Sequence, residues 1–448
     1  MIELRDYQRD LYNRCVSEFT AGHKRVLVVA PCGAGKTYLF AAMAQRTKGD
    51  VLILTHRREL LEQTTALLRE HDINARVAMI LTEANHLGEH GQPALVITDE
   101  AHLSMSDSWQ KVLDYYDCPT VGVTATPIRL DGKPLGQTYT SLVQGVSVKW
   151  LIEHHRLSPF EYYAPTEVET DTLRVQRGDY VIADLEKLMT GRAIYSDVLR
   201  SWETIAKGEK TIAYCVSMKH AAETAEKFRE AGYAAVALDS TTPMKQRKQI
   251  MQDFRDGKIT VLCNVGIISE GVSIDDVTCC LLLRATESHA LFWQMAMRSM
   301  RYAPGKVAKI IDCVGNYTRN PMLDDDVKWS LLAPPKKPRR MTDEGDFTIR
   351  TCPKCFMVFK TAPVCPYCRT EYPLHPREVK FKEDVELKRI TAIEAAEAEE
   401  RRKKARMEVG ACRSVADLIK IQKERGYAPG WVFRMAKAKG IKIPRHWG

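Results

Sequence analysis

Gly33-Ala34-Gly35-Lys36-Thr37 and, 63 residues beyond Lys36, the adjacent carboxylates Asp99-Glu100 are the residue types that phosphate chemistry needs. Backbone N–H groups around Gly33 and Gly35 can converge on one anion, and the start of a following helix adds its positive end. Lys36 can reach the β- and γ-phosphates, and the Thr37 hydroxyl can ligate Mg²⁺. Of the two carboxylates, Asp99 suits Mg²⁺ binding and Glu100 suits polarising the attacking water. The strict phosphate loop begins with glycine, and here that position is Ala30. Gln8 carries a donor and an acceptor on one amide, the pairing an adenine edge demands; a glutamine exposed at a helix start is the equal alternative. A second constellation lies far downstream, where Cys352-Pro-Lys-Cys355 and Cys365-Pro-Tyr-Cys368 offer two thiolate pairs nine residues apart. Four thiolates in tetrahedral array make a closed structural Zn²⁺ site.

The elements that must position these groups read as alternating strands and helices. An apolar strand Val26–Val29 runs into the glycine loop, and a helix continues through Gln45. Strands follow at Val51–Leu54, Arg76–Ile80, Ala94–Thr98 and Thr120–Val123. The third of these delivers Asp99 at its carboxyl end, where ligands gather in an open α/β sheet. The last runs into Thr124-Ala125-Thr126-Pro127, whose hydroxyls can sense a γ-phosphate. Thr55-His56-Arg57-Arg58-Glu59-Leu60 suits either a nucleic-acid phosphate or a solvated helix start. From about residue 167 the alternation repeats at Thr211–Val216, Ala234–Leu238, Ile259–Cys263, Thr278–Leu283 and Lys309–Asp312. Two parallel α/β lobes are therefore expected. Arg298 and Arg301 can reach from the second lobe to a γ-phosphoryl group on the first, although two arginines three apart also mark solvated helix faces.

Composition bounds the class. The chain has 448 residues, 45% hydrophobic and 27% charged, with a formal net charge of +9. No apolar run approaches the roughly 20 residues needed to span a bilayer, and Met1-Ile2-Glu3-Leu4-Arg5-Asp6 is not a secretory start. A cytoplasmic protein with no membrane partner is expected. The basic surplus favours a polyanion. Of 13 cysteines, those outside the two pairs are scattered, as buried free thiols are in a reducing compartment. Leu332–Arg340 is a proline-stiffened basic linker, Arg377–Arg406 a charged exposed helix, and the end of the chain combines Trp431 and Trp447 with Arg434, Lys437, Lys439, Lys442 and Arg445.

The motifs APCGAGKT, DEAH and TATP, in this order and spacing, resemble those of superfamily 2 helicases, where alanine at the Ala30 position is usual. Asn264–Val277 is similar to motif V of that family and Gln294–Arg301 to its arginine-finger motif. Leu283–Ser288, Ala303–Lys306 and the cysteine pairs resemble the RadD-like type. The resemblance implies two tandem RecA-like parallel-sheet lobes with a small zinc-binding module and a helical tail. The limits it suggests are 1–165 and 166–322 for the lobes, 323–345 for a linker, 346–375 for the four-cysteine module and 376–448 for the tail. It implies a nucleic-acid-stimulated ATPase using ATP, Mg²⁺ and Zn²⁺. Lys36, Asp99, Glu100, Arg298 and Arg301 would be catalytic, with Gln8, Gly33, Gly35, Thr37 and Asp99 around the nucleotide. DNA, single-stranded or branched, is the expected partner, with RNA as runner-up and protein partners possible through the C-terminal region. An ATP-switched scaffold is a third reading. Two departures bear on turnover: Met297 replaces the usual glycine, and Ser273 stands where an aspartate is common.

Overall fold

The computed structural model describes residues 2–129, 135–164, 175–176, 179–189, 192–239, 241–266, 276–332, 349–360, 362–371 and 414–425, with positions 412, 432, 435, 436 and 441. Ser273, residues 333–340 of the basic linker, the charged stretch 377–406 and the basic and aromatic positions from Trp431 to Trp447 lie outside them. Two compact units divide the chain, residues 1–373 and 374–448.

In the first unit, six strands form a wholly parallel sheet: β1 (Arg25–Val29), β2 (Val51–Thr55), β3 (Arg76–Met79), β4 (Leu95–Asp99), β5 (Thr120–Thr124) and β6 (Ser141–Gln144). Their order is β3-β2-β4-β5-β1-β6. The central strands are continuous apolar runs, buried along their length, because helices cover both faces of a parallel sheet. In the register of the sheet, Val29 pairs with Thr124, and Asp99 with Val123. The ends of β1 and β4 thus flank the end of β5.

A second parallel sheet is built from β7 (Phe160–Tyr163), then, beyond the hairpin β8 (Val175–Gln176) and β9 (Asp179–Tyr180), β10 (Thr211–Tyr214), β11 (Ala235–Leu238), β12 (Val261–Asn264), β13 (Cys279–Leu282) and β14 (Ala308–Asp312). Its order is β11-β12-β10-β13-β14-β7, so β7 pairs with the last strand of the lobe and occupies the edge. Residues 160–163 therefore join the second sheet, ahead of residue 166, because a four-residue strand is assigned by its partner and not by its own pattern.

The chain after the second lobe does not leave as a free linker. Residues 325–331 return to the first lobe as a strap, where the Gln144 amide donates to Val327 O (2.9 Å) and accepts from Trp329 N (3.0 Å). Gly136 N donates to Leu331 O at 3.0 Å. The Trp329 ring meets Trp293 at 6.0 Å and His289 at 5.5 Å, both on the second-lobe helix His289–Ala296. One indole therefore touches both lobes, since it also packs against the cluster of Leu27, Val29 and Tyr139.

Beyond the strap, β15 (Ile349–Thr351) and β16 (Val358–Lys360) form a small antiparallel hairpin. It covers the exposed edge of β7 through a bridge between Tyr163 and Met357 and an Ala164 N to Phe356 O hydrogen bond of 3.0 Å. In the second unit, the helix Val415–Arg425 buries Leu418 and Ile421 against Cys412, Val432 and Ala436. Among the described residues, no helix is long and apolar enough to cross a membrane.

Candidate active site

The glycine loop begins where β1 ends. Gly33 and Gly35 have φ of +83° and +76°, a region that only glycine enters at no cost. Space enforces the same choice: a Cβ on Gly35 would lie 2.5 Å from Gln8 Nε2, and one on Gly33 2.6 Å from Leu157 Cδ2. Gly35 caps the helix Lys36–Arg46, so the loop N–H groups and the helix start face the same point.

The loop is braced from the first helix, Asp6–Thr20. Gln8 is 5% exposed, and its amide donates to Ala34 O (3.0 Å) and Gly35 O (3.3 Å) while accepting from Arg5 N (3.1 Å). Tyr7 donates to Ala34 O at 3.1 Å. Lys36 Nζ folds back onto Pro31 O at 3.4 Å.

Asp99 ends β4 and is 5% exposed. The chain then turns through Glu100 in left-handed conformation, φ 50°, and Glu100 N donates to Asp99 Oδ1 at 3.0 Å. This turn aims two consecutive carboxylates differently. Burial pushes Asp99 up, to about 7, with the Glu100 charge adding and Lys36 opposing. Burial acts on Glu100 as well, but its hydrogen bond and charge pairing with His102, aided by Lys36, hold it down at about 2. Environments that push neighbouring carboxylates apart give them different roles.

His102, to which the sequence alone assigns no role, joins these groups to the next strand. Its Nδ1 lies 3.4 Å from Glu100 Oε2 and 3.2 Å from Thr124 Oγ1. Thr124 Oγ1 in turn accepts from Thr126 N at 3.2 Å. A line of contacts thus runs from the DEAH turn into the threonines after β5.

From the second lobe come Arg298 and Arg301, just after the helix His289–Ala296. Arg301 pairs in antiparallel fashion with Leu157, and its carbonyl accepts from Ser158 Oγ at 3.1 Å. Met300 O accepts from Ser158 N at 2.8 Å. Leu157 is the side chain that packs on Gly33. Burial, with the neighbouring Cys280, pushes the Tyr214 hydroxyl well above its ordinary value, and the charge of Arg298 opposes that. Met297 is buried in the apolar core.

On the other side of the cleft, Arg57 donates to Gly266 O at 3.3 Å and Arg247 pairs with Glu59 at 3.1 Å. The basic run after β2 therefore already meets the second lobe.

A family model described as helicase conserved C-terminal domain matches residues 193–303, and one described as type III restriction enzyme, res subunit, matches residues 1–86 and 72–129. A "51.5 kDa protein" of a Lactococcus phage (isolate 7-9) is 34% identical over 372 residues, covering 81% of this chain and 82% of that protein. The "Putative ATP-dependent helicase IRC3" of Saccharomyces cerevisiae is 29% identical over 360 residues, 70% of this chain and 51% of the yeast protein.

The chain is a superfamily 2 helicase. The fold agrees: a fragment of a putative HsdR subunit of a type I restriction enzyme from Vibrio vulnificus YJ016 superposes with a TM-score of 0.58 at 21% identity, over 71% of this chain and 66% of that one. This helicase is an ATP-hydrolysing enzyme of an ATP-dependent, nucleic-acid-acting family, with two RecA-like lobes. It spans most of the phage protein but about half of the yeast one.

The four cysteines of the module after the second lobe converge. Cys352 Sγ lies 3.5 Å from Cys368 Sγ and Cys355 Sγ 3.7 Å from Cys365 Sγ, and all four sulfurs lie within 4.8 Å of one another. Zinc–sulfur bonds of about 2.3 Å in a tetrahedron put the sulfurs about 3.8 Å apart. The donor set and its spacing fit that ion.

Proposed function

We propose that this helicase is an ATP-driven DNA translocase or unwinding enzyme of the RadD-like type, working on repair, recombination or replication intermediates. The observation that carries this reading is Leu157-Ser158, which packs on Gly33 of the phosphate loop with one residue and holds the Met300-Arg301 backbone with both. The nucleotide site of one lobe and the arginines of the other are tied to one short segment.

In this reading the loop amides and Lys36 bind the ATP phosphates, and Asp99 with Thr37 would hold Mg²⁺. Glu100, kept ionised by His102, accepts the proton of the attacking water. Mg²⁺, when bound, neutralises phosphate charge. The buried Asp99 carboxyl is the donor that such an ion fits. Arg298 and Arg301 stabilise charge on the transferring phosphoryl group. Gln8 braces the loop, so an adenine edge would share its amide with Ala34 and Gly35.

The functional divisions proposed are 1–165, 166–322, 323–345, 346–375 and 376–448, with the strap over 325–331 falling in the third. Cys352, Cys355, Cys365 and Cys368 hold a structural Zn²⁺. DNA is preferred over RNA because of the restriction-enzyme family match on the first lobe; the net charge of +9 suits either polyanion. Steady-state ATP hydrolysis with single-stranded DNA, duplex DNA and RNA tests the reading. Stimulation by DNA is expected, and stimulation by RNA alone would overturn it.

A further inference from the structure

Each thiol pair is a Cys-Pro-x-Cys-x turn, and in both the last residue lies in the left-handed region: Phe356 at φ +61° and Arg369 at φ +60°. Glycine enters this region without strain, and a bulky side chain does not. The other variable positions are Lys354 and Tyr367, so each turn tip carries one aromatic and one basic side chain, in opposite order. Phe356 is 47% exposed and Tyr367 55%. Phe356 joins none of the apolar clusters among the described residues. Lys354 and Arg369 are exposed and have no ion-pair partner among the described residues.

The two tips rest on consecutive residues, Tyr163 at the end of β7 and Ala164 just beyond it. Ala164 N donates to Phe356 O at 3.0 Å, and the Tyr163 ring meets Tyr367 edge-on at 6.1 Å. They are therefore fixed to the second lobe. A phenylalanine held in strained backbone and open to water is unfavourable for the fold on both counts. Such an outlier points to a use outside the fold.

We propose that the two turn tips form a binding site for single-stranded DNA, with Phe356 and Tyr367 stacking on bases and Lys354 and Arg369 contacting the phosphates between them. Exposed rings paired with cations suit a polymer of bases and phosphates, and only a single strand presents its base faces. A duplex has no free base faces to offer. The choice of DNA rests on the proposed function; the stacking chemistry does not.

The test uses the full-length, zinc-loaded protein without nucleotide and a fluorescein-labelled oligothymidylate of about 20 nucleotides, read by anisotropy. Phe356→Gly is the informative variant, because it removes the ring while supplying the residue that φ +61° favours. Thermal stability should hold or rise, and affinity should fall roughly 5- to 100-fold. Tyr367→Ala should also weaken binding, whereas Tyr115→Ala, on the exposed face of a first-lobe helix, should not. Arg369→Gly should reduce the salt slope of binding by about 0.7.

Affinity within about two-fold of the parent for both Phe356→Gly and Tyr367→Ala would overturn the site. So would oligouridylate binding more tightly than oligothymidylate through the same residues. Hydrolysis assays separate this from the motor reading. A parent that DNA stimulates, with both ring variants binding normally, sinks only the turn-tip site; ring-dependent binding without stimulation supports the site and sinks the motor.

Discussion

The Leu157 side chain occupies the space a Cβ on Gly33 would need, 2.6 Å from its Cδ2, while the Leu157 backbone pairs with Arg301. The phosphate loop and the arginine segment are thus read by one residue that belongs to neither motif. Gly33→Ala would strain the backbone and displace Leu157 together.

Glu100→Gln should bind ATP and fail to hydrolyse it. The amide cannot take a proton from water, and losing a general base costs about 10²–10⁴ in rate. Lys36→Ala should lose phosphate affinity and turnover together. Nucleotide binding and single-turnover hydrolysis distinguish the two, and parental turnover by Glu100→Gln would remove the DEAH assignment.

Arg298→Ala and Arg301→Ala should lower turnover by about 10³–10⁵ with little change in ATP affinity, as befits groups acting on the transition state. The measurement is kcat against the dissociation constant for a non-hydrolysable analogue. Equal losses in both would mean that the arginines only hold the lobes together.

Trp329→Ala should loosen the strap. Its indole touches Trp293 of one lobe and the Val29 cluster of the other. A stability loss of about 1–3 kcal/mol is expected, seen as a lower melting temperature. Gln144→Ala removes both hydrogen bonds to the strap and should raise amide exchange over 327–331. Unchanged exchange there would show that the strap is held by other contacts.

Acid should unfold the first lobe partly through Glu83. Burial raises its carboxyl, but the hydrogen bonds from Arg76 and Tyr116 outweigh that and hold it below its ordinary 4.5. A depressed folded value means stability that is complete above 4.5 and is lost as pH falls below it toward the folded value. Glu83→Gln should therefore be less stable at about pH 7, with the gap from the parent closing below about pH 4.5. A gap that stays constant with pH would rule out this titration.

One zinc per chain is expected by elemental analysis, lost in a Cys365/Cys368 double serine variant. Because the hairpin carrying the first cysteine pair covers the edge of β7, chelation should also speed amide exchange at Ala164. Protection of Ala164 that survives chelation would show that the hairpin docks without metal.

Much of this was legible in the chain itself. Local chemistry is written locally: the strand, glycine turn and Lys36-Thr37 lie within a dozen residues, the carboxylates end their strand, and the cysteine pairs have ligand spacing. Apolar runs placed nearly every central strand, with ends shifted by a residue or two. Neighbours far apart in sequence were decided only by the tertiary structure. β7 reads as four ordinary residues until β14 pairs with it. Gln144 meets Trp329 across 185 residues, and His102 finds Thr124 only because β4 and β5 are adjacent. Residues 325–331 alternate apolar Val327, Trp329 and Leu331 with polar side chains, as a strand does, but the pattern does not say that Gln144 and Gly136 are the partners that hold them. Sequence pattern records which face of an element is buried; which surface buries it depends on chain crossings that no local pattern encodes.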